Sequence, residues 1–175
     1  SSGGISVLQI LGLLEHKNMA NIKANSAEAI HYFSQASRIA FADRNKYIGD
    51  PDFTQVPTQE LLNKDYIATR AKLITEKDQK ALPGNPVDHL SYANDDSFEL
   101  PSTSHVSIVD SKGNAVSMTS SIEMAFGSTV MVNGYILNNQ LTDFSLSPRK
   151  NGKLVANRVE AHKRPRSSMS PVMVF

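Results

Sequence analysis

Apolar positions recur with a helical period in the first half of the chain and with a period of two after Thr103. Residues 4–17 carry Ile5, Val7, Leu8, Ile10, Leu11, Leu13 and Leu14, apolar on nearly every side, and predict a buried helix. Ser26 is a good N-cap with Glu28 in the first turn behind it, so a second helix is expected from there to about Arg44. Helical spacing puts Ile30, Phe33, Ala36 or Ser37, and Ala40 on its inward face. Gly49-Asp50-Pro51-Asp52 forces a turn. Thr58 to Leu73 predicts a third helix, with Leu61, Leu62, Tyr66, Ile67 and Leu73 inward.

The periodicity dissolves between Thr75 and Ser102, where Pro83, Gly84, Pro86 and Pro101 punctuate a polar stretch. A loop or linker of that length is usually functional or disordered. At Thr103 the pattern changes abruptly. Val106 and Ile108 alternate with His105, Ser107 and Val109, Asp110-Ser111-Lys112-Gly113-Asn114 supplies turn chemistry, and Ala115 to Ser121 returns. That is a β-hairpin. Further strands are expected at Val130–Val132, Tyr135–Leu137 and Val172–Phe175. Helices first and an antiparallel sheet second make a layered α/β (α+β) domain, divided by the linker at about 75–102 into segments 1–102 and 103–175.

Composition narrows the chemistry mainly by exclusion. The 175 residues have a formal net charge of +1, which gives no broad field to attract nucleic acid or an anionic membrane. No cysteine is present, so disulfides, thiolate metal sites and a cysteine nucleophile are out. The five histidines (His16, His31, His89, His105 and His162) show no metal-ligand spacing. The run His162-Lys163-Arg164-Pro165-Arg166 reads as a solvated loop sooner than a phosphate site. No apolar run reaches the ~18 residues of a membrane-spanning helix. The start at Ser1-Ser2-Gly3-Gly4 and the stop inside an apolar stretch read as a piece of a larger protein. Thr103 is a weak nucleophile within a chain. It becomes a good one as a first residue, because its own α-amine can then act as base.

Several blocks, in order, resemble the γ-glutamyltranspeptidases, a family of N-terminal nucleophile hydrolases. They are Ser1-Ser2-Gly3-Gly4, Phe41-Ala42-Asp43-Arg44, Gly49-Asp50-Pro51-Asp52-Phe53, Thr103-Ser104-His105, Phe126-Gly127-Ser128, the stretch Ile136 to Ser145, and Lys163 to Pro171. The resemblance covers nearly the whole chain and is weakest across 75–101. It implies part of a four-layer αββα sandwich, with 1–102 from the large-subunit region and 103–175 from the small. It implies cleavage of the Ser102–Thr103 bond by Thr103, which then serves as nucleophile. Ser121 falls where the family has a threonine that hydrogen-bonds the nucleophile. Glu123, Gln140 and Asp143 fall on contacts to the donor's α-ammonium, and Ser167 and Ser168 on contacts to its α-carboxylate.

The implied donor is glutathione or another γ-glutamyl amide, and the acceptor is water, an amino acid or a dipeptide. No metal or organic cofactor is implied. The other partners would be the remaining parts of the two subunits. Family members are commonly exported, so the implied location is periplasmic or extracellular. Glu123 departs from the frequent asparagine and adds an anion beside Asp143. The family's arginine clamp and its Gly-Gly oxyanion segment match nothing in residues 1–175, so this stretch alone is expected to turn over little or no substrate. Two alternatives stay open: a cephalosporin-acylase-like or poly-γ-glutamate-processing relative, and a non-catalytic, uncleaved structural module.

Overall fold

The computed structural model describes residues 2–97 and 103–175; the expected cleavage partner Ser102 lies outside them. Helix α1 (Gly3–Glu15) is followed by α2 (Ala27–Tyr47), the single turn α3 (Thr58–Leu61) and α4 (Lys64–Ala71). Six short strands come after: β1 (Ser104–Val109), β2 (Ala115–Ser120), β3 (Met131–Val132), β4 (Tyr135–Ile136), β5 (Arg149–Lys150) and β6 (Lys153–Leu154). The chain is thus an α+β mix, helices first and antiparallel strands second. The described strands pair as three separate antiparallel ladders, β1–β2, β3–β4 and β5–β6.

The second helix starts where the sequence predicts. Ser26 is extended and its side chain accepts from the Ala29 amide at 3.2 Å. Its buried face is rotated from expectation. Ile30 and Phe33 are exposed, whereas Gln35, Ala36, Ile39, Ala40, Asp43, Arg44 and Tyr47 are inside. The expected third helix is broken in two. Asn63 is extended and caps α4, accepting from the amides of Asp65 at 2.9 Å and Tyr66 at 3.2 Å. Leu73 lies beyond α4 and is exposed. Helix α1 is buried on one side only. Ile10, Leu13 and Leu14 join the core while Leu8 and Leu11 face outward.

The main core is helical: Ile10, Leu13 and Leu14 pack on Ala36, Ile39 and Ala40, with Ile67, Ala71 and Ile74 closing the cluster. Small alanines on α2 let the helices approach closely. A second cluster gathers Tyr47, Ile48, Leu61 and Leu90. Between them sits a polar hub. The Asp43 carboxylate, fully buried, accepts from Gln9 Nε2 at 2.8 Å and Tyr66 Oη at 2.9 Å on one oxygen. Its other oxygen accepts from Arg70 at 3.0 Å and from the Gly84 amide at 2.7 Å. Gln9 and Arg70 are themselves buried, so their donors need that acceptor. This explains why Gln9 faces inward from an otherwise apolar helix.

The expected β1–β2 hairpin forms, with Ser104 opposite Ser120 through Val109 opposite Ala115. The Asp110 side chain shapes its turn, accepting from the amides of Lys112 and Asn114 at 2.8 Å each, and Gly113 takes φ +84°. Val109, Ile108, Met118 and Val116 on this ribbon are exposed. Residues 172–175 form no ladder, contrary to the expected strand: no described segment lies alongside to accept their backbone hydrogen bonds.

The two halves are stitched by polar contacts. Ala93 forms a parallel bridge with Val155, and its amide donates to Leu154 O at 2.9 Å. Thr54 Oγ1 donates to Ala156 O at 3.1 Å. The basic run 163–166 is part of this seam, and the expected solvated loop holds only in part: His162 and Arg164 are exposed. Lys163 and Arg166 are buried, and Lys163 Nζ donates to Ala156 O at 2.9 Å. Arg164 reaches Asp50 by three donors at 2.7 to 3.0 Å. Buried acceptors at fixed positions turned Lys163 and Arg166 inward, which charge counting along the chain does not see.

Candidate active site

A pocket of about 290 Å³ opens where the end of β2, the turn after β4 and the 165–170 segment meet the C-terminal half of α2. Thr103, Ser121, Glu123, Gln140, Asp143, Ser167 and Ser168 all line it, together with Arg44, Thr119 and Arg166. Every sequence-predicted site residue among the described residues is therefore on one surface.

Local geometry explains the convergence. Thr103 precedes β1 and Ser121 follows β2, so the antiparallel register brings them side by side, with Thr103 Oγ1 3.2 Å from Ser121 Oγ. Ser121 Oγ also accepts from the Glu123 amide at 3.0 Å and from Gln140 Nε2 at 3.3 Å. Glu123 takes φ +69°, a left-handed conformation that is costly for a glutamate and is held by its surroundings. Asn139 is the local clamp: its Oδ1 accepts from the Met124 amide at 3.0 Å, its Nδ2 donates to the Glu123 carboxylate, and its own amide donates to Ile122 O at 3.2 Å. Close by, Gly127 meets Leu137 O so tightly that a Cβ there would lie 2.1 Å from it. These contacts pin the 121–128 turn to 137–139. The single turn Gln140–Asp143 then presents Gln140 and Asp143 to the pocket.

The opposite wall is the serine pair. Asn157, fully buried, accepts from the Arg166 amide at 2.9 Å and donates to Asp143 O at 2.7 Å, so one side chain ties the two walls together. Arg166 pairs with Asp95 at 3.2 Å with both side chains out of solvent. Desolvation would raise the Asp95 carboxyl, but hydrogen bonds from Ser97 and Asn157 and the Arg166 charge outweigh it and hold the group below the ordinary carboxylate range. Ser2 donates from Oγ to Ser167 O at 2.6 Å and from its amide to the same oxygen at 3.0 Å.

Arg44, Thr119 and Arg166 line the pocket without having been assigned a role from sequence, and Arg44 is the one that reaches the serine pair from the helical half. It is buried, donates from Nε to Ser2 Oγ at 3.3 Å, and donates from its terminal nitrogen to Ser168 Oγ. A signal existed in the pattern: Ala36 and Ala40 on the buried face place Asp43, Arg44 and Tyr47 inward too, and a buried arginine needs a task.

Chemically, the pocket offers a hydroxyl pair at one end, two carboxylates and an amide on one wall, and serine hydroxyls backed by guanidinium groups on the other. That arrangement suits a zwitterionic ligand beside a carbonyl.

Comparison with known proteins agrees with this reading at the level of the family. The family model described as Gamma-glutamyltranspeptidase matches residues 1–175. The chain is 39% identical over 186 residues to the glutathione hydrolase proenzyme of Bacillus subtilis (strain 168), covering 100% of this chain and 31% of that protein. It is 41% identical over 181 residues to the glutathione hydrolase proenzyme of Escherichia coli (strain K12), covering 99% of this chain and 30% of that one. Among solved structures it resembles a cephalosporin acylase from Bacillus halodurans, with a TM-score of 0.72 at 26% identity over 95% of this chain and 27% of that chain. The chain spans about three-tenths of the length of the curated relatives it matches. It belongs to the gamma-glutamyltranspeptidase family.

Proposed function

We propose that the protein to which this chain belongs is an autoprocessing γ-glutamyl transferase/hydrolase whose nucleophile is Thr103. The observation that supports this best is the convergence of Thr103, Ser121, Glu123, Gln140, Asp143, Ser167 and Ser168 on one pocket, although they lie far apart in sequence. Maturation begins when Thr103 Oγ attacks the Ser102 carbonyl carbon. The acyl group passes from nitrogen to oxygen, and water hydrolyses the ester to leave Thr103 with a free α-amine. Holding both groups in one chain gives the high effective concentration this step needs. Segments 1–102 and 103–175 then belong to separate subunits.

In turnover the freed amine, with an ordinary pKa near ~8, takes the Thr103 hydroxyl proton directly or through water. Oγ attacks the γ-amide carbon of glutathione or a related donor. The tetrahedral intermediate collapses, the C–N bond breaks, and the departing amine leaves with the proton. The γ-glutamyl ester is then resolved by water or by the amine of an amino acid or dipeptide. Asp143 and Glu123 supply anionic partners for the donor's ammonium and Gln140 an uncharged one. Ser167 and Ser168 donate to its carboxylate. Ser121 holds the nucleophile's hydroxyl in place.

The test is the mass of the full-length protein before and after incubation. The wild type should yield two chains, the smaller beginning Thr-Ser-His, and Thr103→Ala should remain whole. A Thr103→Ala protein that still splits at this junction refutes the reading, and a wild type that never splits favours a non-catalytic module. The likeness to a cephalosporin acylase supports a second reading, in which the donor is a glutaryl-type amide without the ammonium. Relative kcat/KM on γ-glutamyl and glutaryl amides separates the two, since Asp143 and Gln140 favour only the former.

A further inference from the structure

We propose that Arg44 is a positioning residue that fixes Ser168 as a hydrogen-bond donor to the α-carboxylate of the donor substrate; this rests on the γ-glutamyl reading above. An arginine only donates. Arg44 donates to Ser168 Oγ, so that oxygen is engaged as an acceptor from the protein side. Among the described residues Ser168 Oγ has no other hydrogen-bond partner, and its own hydrogen is left to point into the pocket that it lines. A free serine hydroxyl can turn either way and present a lone pair to an anion as readily as a proton. The guanidinium removes that choice before the substrate arrives.

The arginine is itself well placed for this task. It is 2% exposed and projects from α2, a long helix packed on α1, so its position is set by the core. Its Nε donates to Ser2 Oγ at 3.3 Å, and that hydroxyl in turn donates a hydrogen bond to Ser167 O at 2.6 Å. One side chain thereby orients the Ser168 hydroxyl and, through Ser2, braces the backbone of Ser167. Gly3 lets the two segments come this close: a Cβ on it would lie 2.7 Å from Ser168 O and 2.8 Å from Met169 O. The carboxylate subsite is therefore built across both halves of the chain, with the donors in the second half and their orientation supplied by the first.

The experiment uses the full-length, processed protein and two donor p-nitroanilides. One is γ-glutamyl; the other is 4-aminobutyryl, which keeps the ammonium and lacks the α-carboxylate. The readout is the ratio of their kcat/KM values. A hydrogen bond to a charged group lost from its orientation should lower the ratio about tenfold to a hundredfold in Arg44→Met. The ratio in Ser168→Ala should be similarly low, and adding Arg44→Met to it should change it by less than about threefold, since the arginine acts through that hydroxyl. Arg44→Lys, which keeps a donor and the charge, should retain most of the ratio and serves if the methionine variant does not fold. Equal loss on both donors in Arg44→Met means that the residue merely supports the fold, and overturns the proposal. A further tenfold loss in the double variant means direct contact with the carboxylate and also overturns it. A wild type with no preference for the γ-glutamyl donor sinks the functional reading itself, and the proposal with it.

Discussion

Replacing Asp43 by asparagine preserves the shape of the buried hub and removes its charge. The carboxylate has four donors: Gln9 at 2.8 Å, Tyr66 at 2.9 Å, Arg70 at 3.0 Å and the Gly84 amide at 2.7 Å. An asparagine has one oxygen and one NH2 to meet them, so two contacts become donor against donor. The two oxygens differ in how well their neighbours can adapt. Gln9 can turn its amide to present oxygen, and the Tyr66 hydroxyl can accept as well as donate. Arg70 and a backbone amide can do neither. The asparagine should therefore place its oxygen toward Arg70 and Gly84 and its NH2 toward Gln9 and Tyr66. What remains is the loss of the counter-charge for Arg70, whose side chain is 8% exposed and which keeps Leu82 O as an acceptor at 2.6 Å. Breaking a buried pair costs about 3–5 kcal/mol. The adaptable side places Asp43→Asn at the lower end, about 3 kcal/mol. Asp43→Ala, which strands all four donors, should exceed it by about 2 kcal/mol. Urea unfolding of the purified protein, followed by far-UV circular dichroism, reads both. An Asp43→Asn midpoint within about 1 kcal/mol of wild type refutes the reasoning, as does a Gln9→Leu change that fails to worsen the asparagine variant.

Acid should weaken the seam between the halves. Hydrogen bonds from Arg164 hold the Asp50 carboxyl far below the ordinary carboxylate range, against the opposing effect of burial. The folded state thus binds that proton less tightly than the unfolded chain. The resulting stability is present above pH ~4 and fades as the pH falls below it. The difference in urea midpoint between wild type and Asp50→Asn should shrink between about pH 5 and about pH 2.5, and a constant difference would count against the pairing. Gly3→Ala should displace the 168–170 segment, because backbone oxygens rather than flexible side-chain ends stand in the way. It should lower selectivity for carboxylate-bearing donors and cost about 1–3 kcal/mol of stability, measured by the p-nitroanilide ratio and by thermal melting; an unchanged ratio would place the close approach elsewhere.

Local signals were legible where the residues that decide the structure are neighbours in sequence. Ser26 announced α2, and Asp110 through Asn114 announced the hairpin. Asn63 also carried a readable cap signal, which the continuous spacing from Leu61 to Leu73 obscured. Errors arose where a partner far along the chain decided the outcome. Ile30 and Phe33 have the right spacing for an inward face, but they stand on the exposed face of α2, whereas Tyr32 packs on the core and His31 hydrogen-bonds to Thr75 O. Gln9 is inside because Asp43 needs a donor. Lys163 and Arg166 are inside because Ala156 O, Asn157 and Asp95 wait there. The candidate site was named residue by residue through the family resemblance, not through periodicity. Arg44 escaped because its task depends on a serine 124 positions away.

The polar stitching between the halves has a consequence for what happens when the chain is opened. Were a peptide bond broken between Ser97 and Thr103, the tether would vanish, and residues on either side would cohere only as a complex of two polypeptides. Its lifetime would then be set by the grip of Asp50 on Arg164, Asp95 on Arg166, Ser2 on Ser167 and Thr54 on Ala156. These are directional, charge-rich contacts, and the same bonds that shape the carboxylate subsite would also keep the severed pieces from drifting apart. Dissociation and loss of substrate recognition would, in such a molecule, be one event.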